Sequence, residues 1–154
     1  MSDQPIEDSE VPTSEIVEDI EPFRVMSVAS VTYNLPDPHP EVNLQETENP
    51  YRSMTVPVAL ADAMAIAQAI EQRSNPRPST HELFVTTLQG LQVDVIATRI
   101  LKLENGVYYA EVDLMAPRGR VVVPCRMTDG IVLALRQTVP APVLCAESVL
   151  AAHY

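Results

Sequence analysis

The chain has 154 residues, 46% of them apolar, and a formal net charge of −11. That length supports a domain with a real hydrophobic core, and no apolar run is long enough to cross a bilayer. Two cysteines, two phenylalanines and no tryptophan argue against a disulfide framework and against an aromatic platform for stacking single-stranded bases.

The charge is unevenly spread. Residues 1–22 contain eight acids (Asp3, Glu7, Asp8, Glu10, Glu15, Glu18, Asp19, Glu21) and no Lys or Arg. The rest of the chain sets thirteen acids against ten bases, a net of −3. Single-sign charge with Pro5, Pro12 and Pro22 cannot bury enough apolar surface to offset ordering entropy. A disordered acidic tail over 1–22 and a folded domain over 23–154 are therefore expected. The start of the chain carries no basic stretch followed by an apolar one, so the expected location is cytoplasmic, away from membranes. Cys125 and Cys145 lie in apolar surroundings and read as buried free thiols.

Phe23 opens a Val-rich strand, FRVMSVASVTYNL. The prolines of NLPDPHP then enforce a loop, which carries His39. EVNLQET reads as a second strand, ENPYR as a turn and SMTVPV as a third strand, whose Pro57 requires an edge or strand-end position. From Ala59 the period changes. ALADAMAIAQAIEQ has high helix propensity, and Asp62 sits in its first turn, where a carboxylate suits the helix dipole. Two prolines in SNPRPS end that helix. Ser79 and Glu82 then match a capping box for a second helix reaching to Gly90, with Leu83, Phe84 and Leu88 as its apolar stripe.

Asn105-Gly106 between two alternating apolar runs predicts a hairpin with a type I′ turn. APRG turns the chain into GRVVVPCRMTDGIVLALR. There Val121–Cys125 reads as a strand buried on both faces, because it is an unbroken apolar run. A turn carrying Arg126, Thr128 and Asp129 follows, then the wholly apolar stretch Ile131–Leu135 of a buried helix over 127–137. Arg126 and Asp129 are thus pinned between buried elements. That suits either a binding constellation or a structural ion pair beside a helix cap. APVLC is a short strand and ESVLAAHY a final helical turn. The order is three strands, two helices, three strands, helix, strand, helix: an α+β domain around a mixed β-sheet. VPVALADAMAIA (56–67) and VPCRMTDGIVLA (123–134) also match without gaps. This internal pseudo-repeat makes Asp62 and Asp129 equivalent and predicts that their helix starts approach each other.

Three blocks carry a resemblance to a known family. Residues 54–70 (MTVPVALADAMAIAQAI), 77–83 (RPSTHEL), and 108–111 with 124–136 (YYAE and PCRMTDGIVLALR) are similar, in order and spacing, to LPIWIGPAEAxAIALAL, RPLTHDL, FYAE and DARPSDAIALALR. These are motifs of the bifunctional nuclease domain family. Arg77, Thr80, His81, Glu111, Arg126 and Asp129 match, and Glu82 stands for the family's Asp. Pro124 stands where the family has an acid, Ala59-Leu60 where it has Gly-Pro, and Met127-Thr128-Asp129-Gly130 where it has Pro-Ser-Asp-Ala.

The resemblance implies a nuclease, a hydrolase acting on DNA and RNA. Such cleavage needs charge stabilisation at the phosphate and an activated nucleophile. A divalent metal (Mg or Mn) held by carboxylates supplies both, and so can Arg with a His acid/base. Asp62, His81, Glu82 and Asp129 are the catalytic candidates, and Arg77 and Arg126 the substrate-binding ones. No spacing specific to a metal site is present. The opposing reading is a non-catalytic regulatory or interaction domain that keeps the fold. It rests on the absent acid at 124, on the mildly acidic core where a nucleic-acid binder would show a basic stripe, and on local structural roles for Glu82 (the capping box) and Glu111 (a solvated strand face). Apolar helices on a small sheet also predict a homo-oligomer, a dimer or larger.

Overall fold

A computed structural model describes residues 21–153; the tail expected over 1–22 lies, apart from Glu21 and Pro22, outside the described residues. The elements are β1 (Phe23–Thr32), β2 (Glu41–Glu46), β3 (Ser53–Pro57), α1 (Leu60–Ile70), α2 (Thr80–Gly90), β4 (Asp94–Glu104), β5 (Val107–Ala116), β6 (Gly119–Arg126), α3 (Met127–Leu135), β7 (Val143–Ala146) and α4 (Glu147–Ala151). Among the described residues the fold is α+β, with four helices and one mixed seven-stranded sheet in the order β3-β2-β1-β7-β4-β5-β6. Two antiparallel meanders, β1–β3 and β4–β6, are joined by β7, which pairs antiparallel with β1 and parallel with β4. The late four-residue strand is the seam of the sheet.

Local chemistry sets these elements. Asn105 and Gly106 both have positive φ, 52° and 77°, as a type I′ turn demands. Pro57 ends β3 at the sheet edge, opposite Glu41, where its missing N–H costs no ladder bond. Ser79 accepts from the Glu82 N–H and Glu82 reaches back to the Ser79 N–H, so the capping box is formed.

The register sorts the two faces of the sheet. Ala110, Val112 and Leu114 of β5 belong to the buried clusters under the helices. The alternate positions Tyr109, Glu111, Asp113 and Met115 share the opposite, helix-free face. On that face Asp113 binds Arg99 at 2.5 Å and Arg120 at 2.6 Å. The main core joins α1, α3 and α4 to the strands through residues such as Leu44, Val56, Ile66, Ile100, Ile131 and Leu150, and β6 meets it through the partly buried Cys125. The sheet twists and wraps around these helices. Four strands separate β3 from β5, yet Val56–Val58 and Gly106–Tyr108 line the same cavity.

Two expectations are corrected. Val121, Val122 and Val123 are 47%, 41% and 39% exposed, because β6 pairs only with β5 and forms the sheet edge. A Val run fits an edge strand as well as a central one, since β-branching favours the pleat in either place. On α2 the buried residue is Val85, while Leu83 and Phe84 are 60% and 48% exposed. The helix packs through Val85 on Val95, Val112, Leu114 and Leu133 and leaves two of the three stripe residues in solvent. Cys145 is buried as expected; Cys125 is only partly so, and both are free.

One ionic cluster was invisible in the sequence. Glu46, 2% exposed, takes Arg24 Nε and Arg52 Nε, each at 2.6 Å. Arg52 continues to Glu147 with two bonds of 2.7 and 2.8 Å, tying α4 to the β2–β3 connection. The Arg52 hydrogen bond, helped by Arg24 and opposed by burial, holds the Glu46 carboxyl at about 2.

Gly130 shows how tightly α3 lies on the sheet. Thr98 Oγ1 donates to the Gly130 carbonyl at 2.6 Å. A Cβ at 130 would stand 2.6 Å from Thr98 Cγ2 and 3.0 Å from Cys125 Sγ. The family motif's Ala at this position therefore does not fit beside Thr98. Gly130→Ala is expected to cost about 1–3 kcal/mol through overpacking, read by denaturant unfolding. Adding Thr98→Ser should recover most of the loss, and a double variant no more stable than the single one would reject this packing.

Candidate functional site

The first turns of three helices are linked through one guanidinium. Arg126 ends β6 and is the N-cap residue of α3. Its Nε and Nη2 reach Asp129 at 2.9 and 3.0 Å, and its Nη1 and Nη2 reach Asp62 at 3.2 Å each. Four of the five guanidinium N–H groups thus meet carboxylates. Asp62 lies in the first turn of α1 and Asp129 in the first turn of α3. Asp129 also meets His81 of α2, with Nε2 to Oδ1 at 2.8 Å. The result is a chain Asp62–Arg126–Asp129–His81.

Local sequence explains the arrangement. Neither Ala59 nor Arg126, the N-caps of α1 and α3, offers a side-chain cap hydrogen bond. The two first-turn aspartates complement the helix dipoles in their place. Brought together at the α1–α3 contact they would repel, and Arg126 between them removes that repulsion. The proximity expected of the two helix starts is present.

Exposure decides what the chain of groups can do. The Arg126 side chain is 64% exposed, against 17% for Asp62 and 32% for Asp129. Arg126 therefore does not follow a buried strand as expected and is open to solvent, because β6 is an edge. Burial works to raise the Asp129 carboxyl, but its bonds to Arg126 and His81 prevail and hold it below the ordinary carboxylate value. An ionised carboxylate only accepts, so the Nε2 facing it carries the His81 proton. His81 Nδ1 has no hydrogen-bond partner among the described residues.

Two cavities flank these groups. One, of about 330 Å³, lies between α2 and β6 and is lined by His81, Phe84, Val123, Cys125, Asp129 and Leu133 among others. The other, of about 290 Å³, includes Pro57, Asp62, Val107, Tyr108, Arg126 and Met127. Phe84 and Val123 could not be found by sequence reasoning, since they read as core. The Cys125 thiol is pushed up to about 11, by burial first and then by Asp129. It is protonated at neutral pH and unsuited to nucleophilic attack.

The other candidates lie outside this chain of contacts. Glu82 spends its carboxylate on the Ser79 N–H and on the backbone and side chain of Asn75, and the Asn75 hydrogen bond leads in lowering its pKa. Arg77 is exposed and has no hydrogen bond or ion pair among the described residues. Glu111 stands on the helix-free face, 3.5 Å from Arg99. Among the described residues no three His, Cys, Asp or Glu side chains converge as ligands for a metal ion. Asp62 and Asp129 turn their oxygens to Arg126, so the donor set does not fit a carboxylate-held Mg or Mn.

The geometry predicts a modest, pH-dependent structural role for Arg126. Its exposure screens the pairing, so Arg126→Ala should cost about 1 kcal/mol at neutral pH. Asp129 has a lowered pKa in the fold. Its pairing therefore stabilises fully above the unfolded aspartate value and is lost as pH falls through the folded one. The difference between variant and wild type should accordingly shrink below about pH 4. Chemical unfolding at several pH values checks this, and a pH-independent difference would contradict it.

Among the described residues no helix is long and apolar enough to cross a membrane. Two proteins of Mycobacterium tuberculosis, from strains CDC 1551 / Oshkosh and ATCC 25618 / H37Rv and both called uncharacterized, are each 32% identical to this chain over 124 residues. The alignment covers 80% of this chain and 72% of each relative. A family model for the bifunctional nuclease domain matches residues 42–154, from β2 onward. The chain belongs to the bifunctional nuclease domain family.

Proposed function

We propose that this protein hydrolyses phosphodiester bonds of DNA and RNA, using His81 as the proton-transfer group, Asp129 to orient it and Arg126 to contact the phosphate. The observation that carries the reading is the 2.8 Å contact of His81 Nε2 with Asp129 Oδ1 inside an open cavity. It leaves Nδ1 to take the proton of an attacking water as the new P–O bond forms. The broken P–O bond leaves on the departing alcohol oxygen, which is protonated by His81 or by solvent. The remaining Arg126 N–H and its exposed face meet the phosphate oxygens.

The same reading extends to Asp62 and Asp129 as equivalent members of an internal pseudo-repeat, each holding the one arginine. It makes no use of a divalent metal. Purified protein should cleave single-stranded RNA and DNA equally well with EDTA or with Mg²⁺. His81→Ala should reduce the rate at least ~100-fold, the lower range for loss of a general acid/base, with an unchanged melting temperature. Cleavage that needs Mg²⁺, or survives His81→Ala, would defeat the mechanism.

A second reading has its own support. Asp62, Asp129 and Arg126 sum to a formal −1 when His81 is neutral, and four of the Arg126 N–H groups are already engaged. A non-catalytic regulatory or interaction domain would be built this way, and absence of cleavage under all conditions would favour it.

The edge strand also supports self-association. Val121–Val123 leave an unpaired apolar edge of the kind proteins usually cover, so we propose a homo-oligomer through β6. Sedimentation should report a dimer or larger that Val122→Lys dissociates. A wild-type monomer at micromolar concentration would reject it.

A further inference from the structure

The charged chain is shared between the two cavities. Arg126 and Asp62 line one, Asp129 and His81 the other, so the bonded Arg126–Asp129 pair has one member in each. Both are mainly apolar, with Tyr108 in the cavity of Arg126 and Asp62 and Phe84 in the cavity of His81 and Asp129. Tyr108 is fixed by its hydroxyl, 2.8 Å from His153 Nε2. Volumes near 300 Å³ are at the small-ligand end of binding pockets.

The charge balance constrains what fills them. A phosphate arriving at a site of formal −1, on a chain whose portion beyond residue 22 is itself net −3, gains little from electrostatic attraction. Affinity must come from apolar contact on either side of it. Resting on the nuclease reading above, we propose that the two cavities are paired nucleobase subsites. They hold the bases flanking the scissile phosphate splayed apart, so that the substrate is an unpaired dinucleotide step.

Three consequences follow from this geometry. Bases held apart in separate cavities cannot remain stacked or paired, so duplexes are excluded. Side-chain polar groups are few in the cavity beside Phe84, with Thr80, His81 and Asp129 at its margin, so base identity is read weakly. Binding through apolar walls also releases few counterions, so the salt dependence is shallow.

The test uses the full chain with single-stranded oligothymidylate, the same oligonucleotide with abasic residues, and its duplex. Phe84→Ala should raise KM about tenfold, as for loss of one base–aromatic contact. Val107→Ser should raise it about threefold, for loss of apolar wall. Both should leave kcat near wild type, and abasic residues should reproduce the loss in wild type. KM should change by less than about twofold between low and physiological salt. If wild type cleaves while both variants keep its KM, or if the duplex is cleaved with the same KM, the subsites are rejected and the His81 chemistry stands. If wild type does not cleave, titration with dithymidine monophosphate decides. Binding weakened by Phe84→Ala upholds the subsites without the nuclease, and no binding at millimolar concentration rejects them.

Discussion

Arg126 joins the first turns of α1 and α3 and, through Asp129, meets the start of α2. Each of α1 and α3 begins without a side-chain cap bond and carries an aspartate in its first turn instead. Those carboxylates answer two helix dipoles separately, but at the α1–α3 contact they become two like charges in a partly desolvated crevice. One guanidinium with a planar fork satisfies both in bidentate fashion, which a lysine could not do. Asp129 Oδ1 is shared between Arg126 and His81, at the start of α2. The histidine and the arginine thus share one carboxylate although the two are not in contact.

This arrangement depends in turn on β6 being an edge. A central strand would have covered the Arg126 stem and closed the space beside α2. Because β6 has one neighbour among the described residues, its helix-side residues Val121 and Val123 overhang, and a trough opens between Val123 and Phe84. The twist of the sheet does the corresponding work on the other side. By carrying the β4–β5 turn round to the end of β3, it encloses the second cavity against Asp62. The ends of the sheet, not its middle, therefore make the surroundings of the charged groups.

Much of this was legible, for identifiable reasons. The capping box, the Asn105-Gly106 turn, Pro57 at a strand end and the proximity of Asp62 to Asp129 are all short-range rules of backbone chemistry or follow from a direct internal match. The Val121–Cys125 run misled because burial of a strand depends on its neighbours in the sheet, which are set by tertiary pairing and leave no mark in five residues. Leu83 and Phe84 misled for a related reason: a stripe shows which face is apolar, not whether anything comes to cover it. The Glu46 cluster joins positions as far apart as Arg24 and Glu147, and no periodicity connects them.

The acid missing at 124 bears on function through its place in the sheet. Pro124 pairs with Glu111 and so shares the register of the helix-free face, with Asp113 and its arginines nearby. Asp129 and His81 belong to the helix side. A carboxylate at 124 would stand directly across from Glu111, a like-charge pair that is unfavourable between adjacent strands. Proline there removes that repulsion and, on an edge, sacrifices no interior ladder bond. The substitution thus changes the helix-free face, the strand edge and the wall of the cavity that Pro124 shares with His81 and Asp129, while every member of the Asp62–Arg126–Asp129–His81 chain is kept. Any chemistry that runs through His81 is left with its orienting carboxylate and its arginine intact.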